Sequence, residues 1–95
     1  MSKAIWKYPV PREREFTLDM PVDRVLLTVD HDALGELSMW WEVVPDSERE
    51  DVHFIARMTG EEVSDEESYK QWYLGTFLDS GFVLHLHEKW GDSDD

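Results

Sequence analysis

There is no cysteine in this 95-residue chain, so neither a disulfide framework nor a thiolate metal site can hold it together. No apolar run approaches the roughly 20 residues needed to cross a bilayer. The opening MSKAIWKYPVP is too short and too broken by proline to be the apolar segment of a signal peptide. The expectation is a soluble, cytoplasmic protein with no membrane partner. Basic residues are scarce as well: nine lysines and arginines stand against 22 acids. That balance repels nucleic-acid phosphates, and the few bases are too scattered to form a face for them. The five glycines, Gly35, Gly60, Gly75, Gly81 and Gly91, are all isolated, which excludes a glycine-rich phosphate loop.

What is present is a foldable chain. A hydrophobic content of 41% with five tryptophans places it among globular proteins despite a mean hydropathy of −0.54. The length allows one domain, read as residues 1–91, followed by an acidic, frayed tail at 92–95. The formal net charge of −13 has two readings. It is a solubility device for a small domain or a salty habitat, or it is a surface made for a basic site on a partner.

Periodicity predicts strands almost throughout. AIWKY is a short first strand, and in REFTLDM the residues Phe16, Leu18 and Met20 alternate with Thr17 and Asp19. RVLLTVD is a nearly continuous β-branched and leucine run, the pattern of a more buried strand. LSMWWEVV, VHFIARMT, WYLGTFL and FVLHLHEKW follow, the last two joined through Asp79-Ser80-Gly81 as a hairpin. PDSERED reads as a charged loop with room for one helical turn. In GEEVSDEESYKQ, Ser64 followed by Glu67 fits a capping box, so a short helical turn is expected there. The sum is an all-β domain, a small antiparallel sandwich or barrel of about seven short strands.

His85 and His87 share one face of their strand, with Phe82, Leu84, Leu86 and Trp90 forming the expected core row and Glu88 interrupting it. Two same-face histidines are candidate zinc ligands, but no spacing supplies the third, so they read as a solvated or partly covered sheet face. No nucleophile elbow supports a serine triad, and the carboxylate pairs Glu61-Glu62 and Glu66-Glu67 lie in a polar loop where solvent keeps them ordinary. No catalytic residue and no cofactor is assigned. The aromatics carry more weight. Trp40 and Trp41 are neighbours on a strand and must point to opposite faces, while Tyr69, Trp72 and Tyr73 gather beside the acidic loop. An aromatic patch of these five residues, rimmed by Glu61, Glu62, Glu66 and Glu67, is the candidate binding site.

Ile5-Trp6-Lys7, Met20-Pro21, Thr59-Gly60, Tyr73-Leu74-Gly75-Thr76-Phe77 and His85 form an ordered pattern over residues 3–88. It resembles a family of small uncharacterised proteins, mostly encoded by bacteriophages and grouped as a domain of unknown function. The acidic loops and the Asp-rich tail depart from that pattern. The resemblance implies a phage origin and an accessory role, and it carries over no catalytic residues. The leading expectation is a non-enzyme that binds a host protein with a basic surface and modulates or inhibits it. A sponge for a nucleotide-like signal of host defence is the alternative, and it requires Arg12, Arg14, Arg24 and Arg57 to converge. A minor structural part of the virion is a third. A homodimer, formed through an edge strand or the exposed tryptophan, stays open.

Overall fold

Seven antiparallel strands fill the computed structural model, which describes residues 2–90. In chain order they are β1 (Ala4–Pro9), β2 (Glu15–Pro21), β3 (Arg24–His31), β4 (Leu37–Val43), β5 (Arg49–Met58), β6 (Gln71–Asp79) and β7 (Phe82–Lys89). One short helix, α1 (Asp65–Tyr69), precedes β6. Strands β1-β4-β3 make one sheet and β2-β5-β7-β6 the other, so the all-β expectation resolves as an open sandwich. Its smallest Cα extent, 17 Å, is what two sheets stacked about 10 Å apart give.

Alternation decides which side chains meet between the sheets. Met39, Trp41 and Val43 of β4 face Phe16 and Met20 of β2, Val52 and Phe54 of β5, Phe77 of β6 and Leu86 of β7. Phe16 and Phe54 are direct cross-strand partners and stack at 4.9 Å. The sheets touch most closely along β3 and β6, where each strand carries a register shift, between Leu26 and Thr28 and between Tyr73 and Gly75. A Cβ at Gly75 would lie 3.4 Å from Val29 Cβ, so the glycine marks the closest approach of the two backbones. The β6–β7 hairpin turns on Ser80 and Gly81, both at positive φ (54° and 87°), the two-residue geometry that matches strand twist.

Three expectations are corrected. β3 is an edge strand and less buried than its composition predicts: Val25 and Leu27 are exposed, because nothing among the described residues covers the outer side of the three-stranded sheet. Phe82 and Trp90 are outside the core, since the row they continue runs past the sheet at both ends. The charged loop holds no helix; Val44 accepts from the Ser47 amide and β5 already begins at Arg49, paired with Pro21. The capping box does form, with Ser64 Oγ accepting from the Glu67 amide at 3.1 Å. Residues 92–95 lie outside the described residues.

Glu88, the acid in the apolar row of β7, finds its partner across the sandwich. Arg24 of β3 reaches it at 3.1 Å, binds Glu50 at 2.7 Å and the Pro21 carbonyl at 3.0 Å, and lies 5.9 Å from the centre of the Trp41 ring. Both members of the Arg24–Glu88 pair are buried, and burial pushes the Glu88 carboxyl up while Arg24 pulls it down. Removing Arg24 strands the buried Glu88 charge, whereas Arg24 keeps Glu50 when Glu88 is removed. Arg24→Met alone is therefore expected to cost about 3 kcal/mol, and Arg24→Met with Glu88→Leu to recover most of that loss. Urea denaturation of the two variants measures the difference.

Candidate functional site

The outer face of the four-stranded sheet carries the polar side chains that the alternation turns away from the core. His85 sits at its centre. Its Nε2 lies 2.7 Å from Thr59 Oγ1 and its Nδ1 3.0 Å from Thr76 Oγ1, and Thr76 is hydrogen-bonded in turn to the Tyr73 hydroxyl. Four residues that carry the family resemblance thus form one chain: Thr59, His85, Thr76 and Tyr73. The chain ties the end of β5 to β7 and β6. Both His85 nitrogens are occupied by threonine hydroxyls rather than by a carboxylate, so His85 itself has no orienting acid. His87 lies beside it under the Tyr73 ring, 5.6 Å away and edge-on. Burial, then the nearby Arg57 and His85, hold the His87 imidazole below its usual pKa, and its Nδ1 is buried without a protein partner. No group of three histidines and acids close enough to hold a metal occurs among the described residues.

Glu61 is a structural carboxylate. Arg14 grips both of its oxygens, Arg57 approaches at 3.3 Å, and the Met58 amide donates to it at 3.1 Å. Arg57 is itself buried on this outer face and donates to Gln71 at 3.1 Å. The clamp pins the Thr59–Glu61 turn to β5 and to the β1–β2 connection. The other loop acids divide. Glu67 closes the capping box, Glu66 lies 3.7 Å from Lys70, and Glu62 is exposed.

The expected aromatic patch splits in two. Trp41 is core, 3% exposed, with its indole Nε1 lacking a protein partner, and presents no surface. Trp40 lies on the outer face of the three-stranded sheet under Lys7, whose ammonium is 5.9 Å from the ring centre. Tyr69, Trp72 and Tyr73 are all exposed where α1 leads into β6, but Tyr73 pairs with His87 on the outer face of the sheet and Trp72 pairs with Glu88 on the opposite one. Trp90 joins Trp72. Its amide donates to the Lys70 carbonyl at 3.0 Å and its ring packs on Trp72 at 4.4 Å.

A feature without a local signal in the sequence lies at the opposite end. There the β1–β2 connection, the β3–β4 turn and the β6–β7 hairpin enclose an open cleft of about 700 Å³. Val10, Leu37, Met58, Phe77, Phe82 and Leu84 line it, with Arg12, Arg14, His31, Glu36 and Asp79 among the polar groups. The cleft is assembled from three segments far apart in the chain, so only the strand order could have revealed it. Arg12 pairs with Asp79 at 3.3 Å. Of the four arginines that a polyphosphate site requires, Arg12 and Arg14 line the cleft, Arg24 is at the far end of the sandwich, and Arg57 faces outward onto Gln71.

Comparison with known families follows from the whole chain. The family described as "Domain of unknown function (DUF7352)" matches residues 1–95. The chain belongs to this family. The match spans more than the 3–88 stretch that carries the resemblance, and it assigns no origin or activity. Searches of curated proteins and of solved structures give no match. No helix among the described residues is long and apolar enough to cross a membrane.

The Arg14 clamp holds the Glu61 carboxyl at about 2, and Lys7 with the Glu36 and Leu34 amides holds Asp32, in the β3–β4 turn, at about 2. Their ordinary values are 4.5 and 3.8. Both groups are more acidic folded than unfolded, so their stabilisation is full above those ordinary values and is lost as pH falls toward 2. Glu61→Gln and Asp32→Asn are each expected to flatten the fall of stability over that window, and together to flatten it further. Chemical denaturation at stepped pH reads the slopes.

Proposed function

We propose that the chain is a non-enzymatic binding protein that meets a basic surface on another protein. The observation that supports this most directly is the packed pair Trp72 and Trp90, both exposed, with Trp72 in the strand that follows an acidic helix in a chain of net charge −13. Large amphipathic rings give contact area at low entropic cost, and the acids steer a basic partner toward them. The family resemblance adds the setting: a phage-encoded accessory protein, with a host protein modulated or inhibited by the contact. Affinity capture from a bacterial lysate tests the reading. A protein retained at low salt, released as salt rises, and bound at least ten-fold more weakly by Trp72→Ala is the expected result. Retention indifferent to both salt and Trp72→Ala defeats it.

The end cleft supports a second reading, the sequestration of a small molecule. Its volume lies in the usual range of ligand sites, and its lining favours an apolar body. Nucleotide-like polyphosphates are disfavoured, because Arg12 and Arg14 are already paired with Asp79 and Glu61 and the other two arginines lie elsewhere. A thermal-shift screen is therefore expected to show no stabilisation by nucleotides. A clear shift that is lost in Arg12→Ala would restore the nucleotide sponge as the better reading.

A further inference from the structure

One end of the sandwich supplies its own cation, and the other does not. At the first, Arg24 reaches in from β3 with its guanidinium on Glu88 and Glu50 and close to the Trp41 ring. At the second lies the cleft, where positions that alternation points between the sheets are left uncovered. Met58, two residues beyond Ala56 on β5, is 45% exposed, and Phe82, two before Leu84 on β7, is 54% exposed. Behind them Ala56, Phe77 and Leu84 belong to the core layer itself. The apolar interior thus runs out into a concave opening of about 700 Å³, a surface that the apolar body of a small molecule can cover.

Charge decides what such a molecule can carry. Each of the nine lysines and arginines forms an ion pair within the chain. In the cleft this holds for Arg12, on Asp79 at 3.3 Å, and for Arg14, on Glu61. Two acids of the lining, Glu13 and Glu36, enter no ion pair among the described residues. With His31 neutral, two bases face the four acids Glu13, Glu36, Asp79 and Glu61, a local surplus of two negative charges. The −13 of the whole chain adds to that field. An anion enters the cleft against the field and meets only arginines that already hold a carboxylate. A cation meets two unpaired carboxylates beside an apolar wall.

We propose that the end cleft binds an amphipathic cation, an apolar or aromatic body with one ammonium or guanidinium head. The inference rests on the reading of the cleft as a small-molecule site and names the class of molecule. The body lies on Met58, Phe77 and Phe82. The head lies with Glu13 and Glu36, which come from two connections tied together by the Val10 amide and the Leu37 carbonyl at 3.0 Å. Arg24 is the precedent inside the molecule: a cation on an apolar stem, held by two carboxylates next to an aromatic ring. Body and head make separable contributions. Apolar burial supplies most of the affinity, and the carboxylates supply the preference for a positive head.

Titration of the full chain with three matched probes, phenylbutylamine, phenylbutanol and phenylbutyrate, followed by amide NMR shifts at neutral pH, tests the inference. The amine is expected to shift the amides of Gly35, Ala56 and Leu84 with a Kd at least about three-fold below that of the alcohol, and the carboxylate to bind most weakly. Added salt is expected to narrow the gap between amine and alcohol. Glu13→Gln/Glu36→Gln is expected to bring the amine to the affinity of the alcohol, and Phe82→Ser to weaken both by a similar factor. Equal binding of amine and alcohol in the unsubstituted chain, or tighter binding of the carboxylate, overturns the inference and leaves the small-molecule reading standing. So does an amine preference that persists in Glu13→Gln/Glu36→Gln. No shift of a cleft amide by any of the three probes defeats the inference and that reading together.

Discussion

One layer of apolar side chains between two sheets carries the stability of this protein, because the chain has no cysteine to staple it. Met20, Met39, Phe54 and Leu86 fill the middle of that layer completely, and its two ends are finished differently. Where β3 begins and β7 ends, Arg24 and Glu88 close it with an ion pair capped by Trp41. Where β3 ends and β7 begins, no such plug exists and the sheets gape into the cleft around Phe77 and Leu84. The cleft, the buried charges and the tight Gly75–Val29 seam are thus consequences of one problem, the closing of a single thin core.

A thin core also tolerates little polar material. Tyr8 Oη, Trp41 Nε1 and His87 Nδ1 are buried without protein partners among the described residues, and burial pushes the Tyr8 phenol up. Each such group forfeits about 1–3 kcal/mol relative to a satisfied one. The large rings return that by the area they bury, which is why aromatic residues rather than small hydrophobics occupy these positions. On the outer face of the four-stranded sheet the rule is the reverse. There Thr59, Thr76, Tyr73 and His85 satisfy one another, and the web fixes three segments without adding to the core.

The strands were legible because alternation is a local property: Phe16, Leu18 and Met20 announce their face without reference to any neighbour. The Ser64 capping box and the positive φ at Gly81 were legible for the same reason. What escaped depends on pairing. Glu88 was visibly out of place in its row, but Arg24, 64 residues away, could be named as its partner only once β3 faced β7 across the sandwich. Trp40 and Trp41 were correctly assigned opposite faces, yet grouping them with Tyr69, Trp72 and Tyr73 required both clusters to share a sheet. β4 and β6 belong to different ones. The β3 run misled in an instructive way. Its composition reported a more buried strand, and among the described residues the fold covers only one of its faces.

Arithmetic on the charges separates what steers from what recognises. The chain has 22 acids and nine bases, so 13 negative charges (22 − 9) stay uncompensated however the pairs form. The acids with structural duties, Glu61, Asp32, Glu88 and Glu67, are bound to particular arginines, lysines or amides and contribute little that a partner could read. The surplus is spread along the sequence, and no single substitution alters it by more than a small fraction. A field of that kind raises encounter rates and selects the sign of a partner, but it cannot choose among basic proteins. Choice has to come from groups with shape. On this surface those are the rings of Trp72 and Trp90, which are held in place by the Lys70–Trp90 hydrogen bond and by each other. On the proposed reading, the acidity would set how fast and how salt-sensitively a contact forms, and the Trp72–Trp90 pair would set with whom.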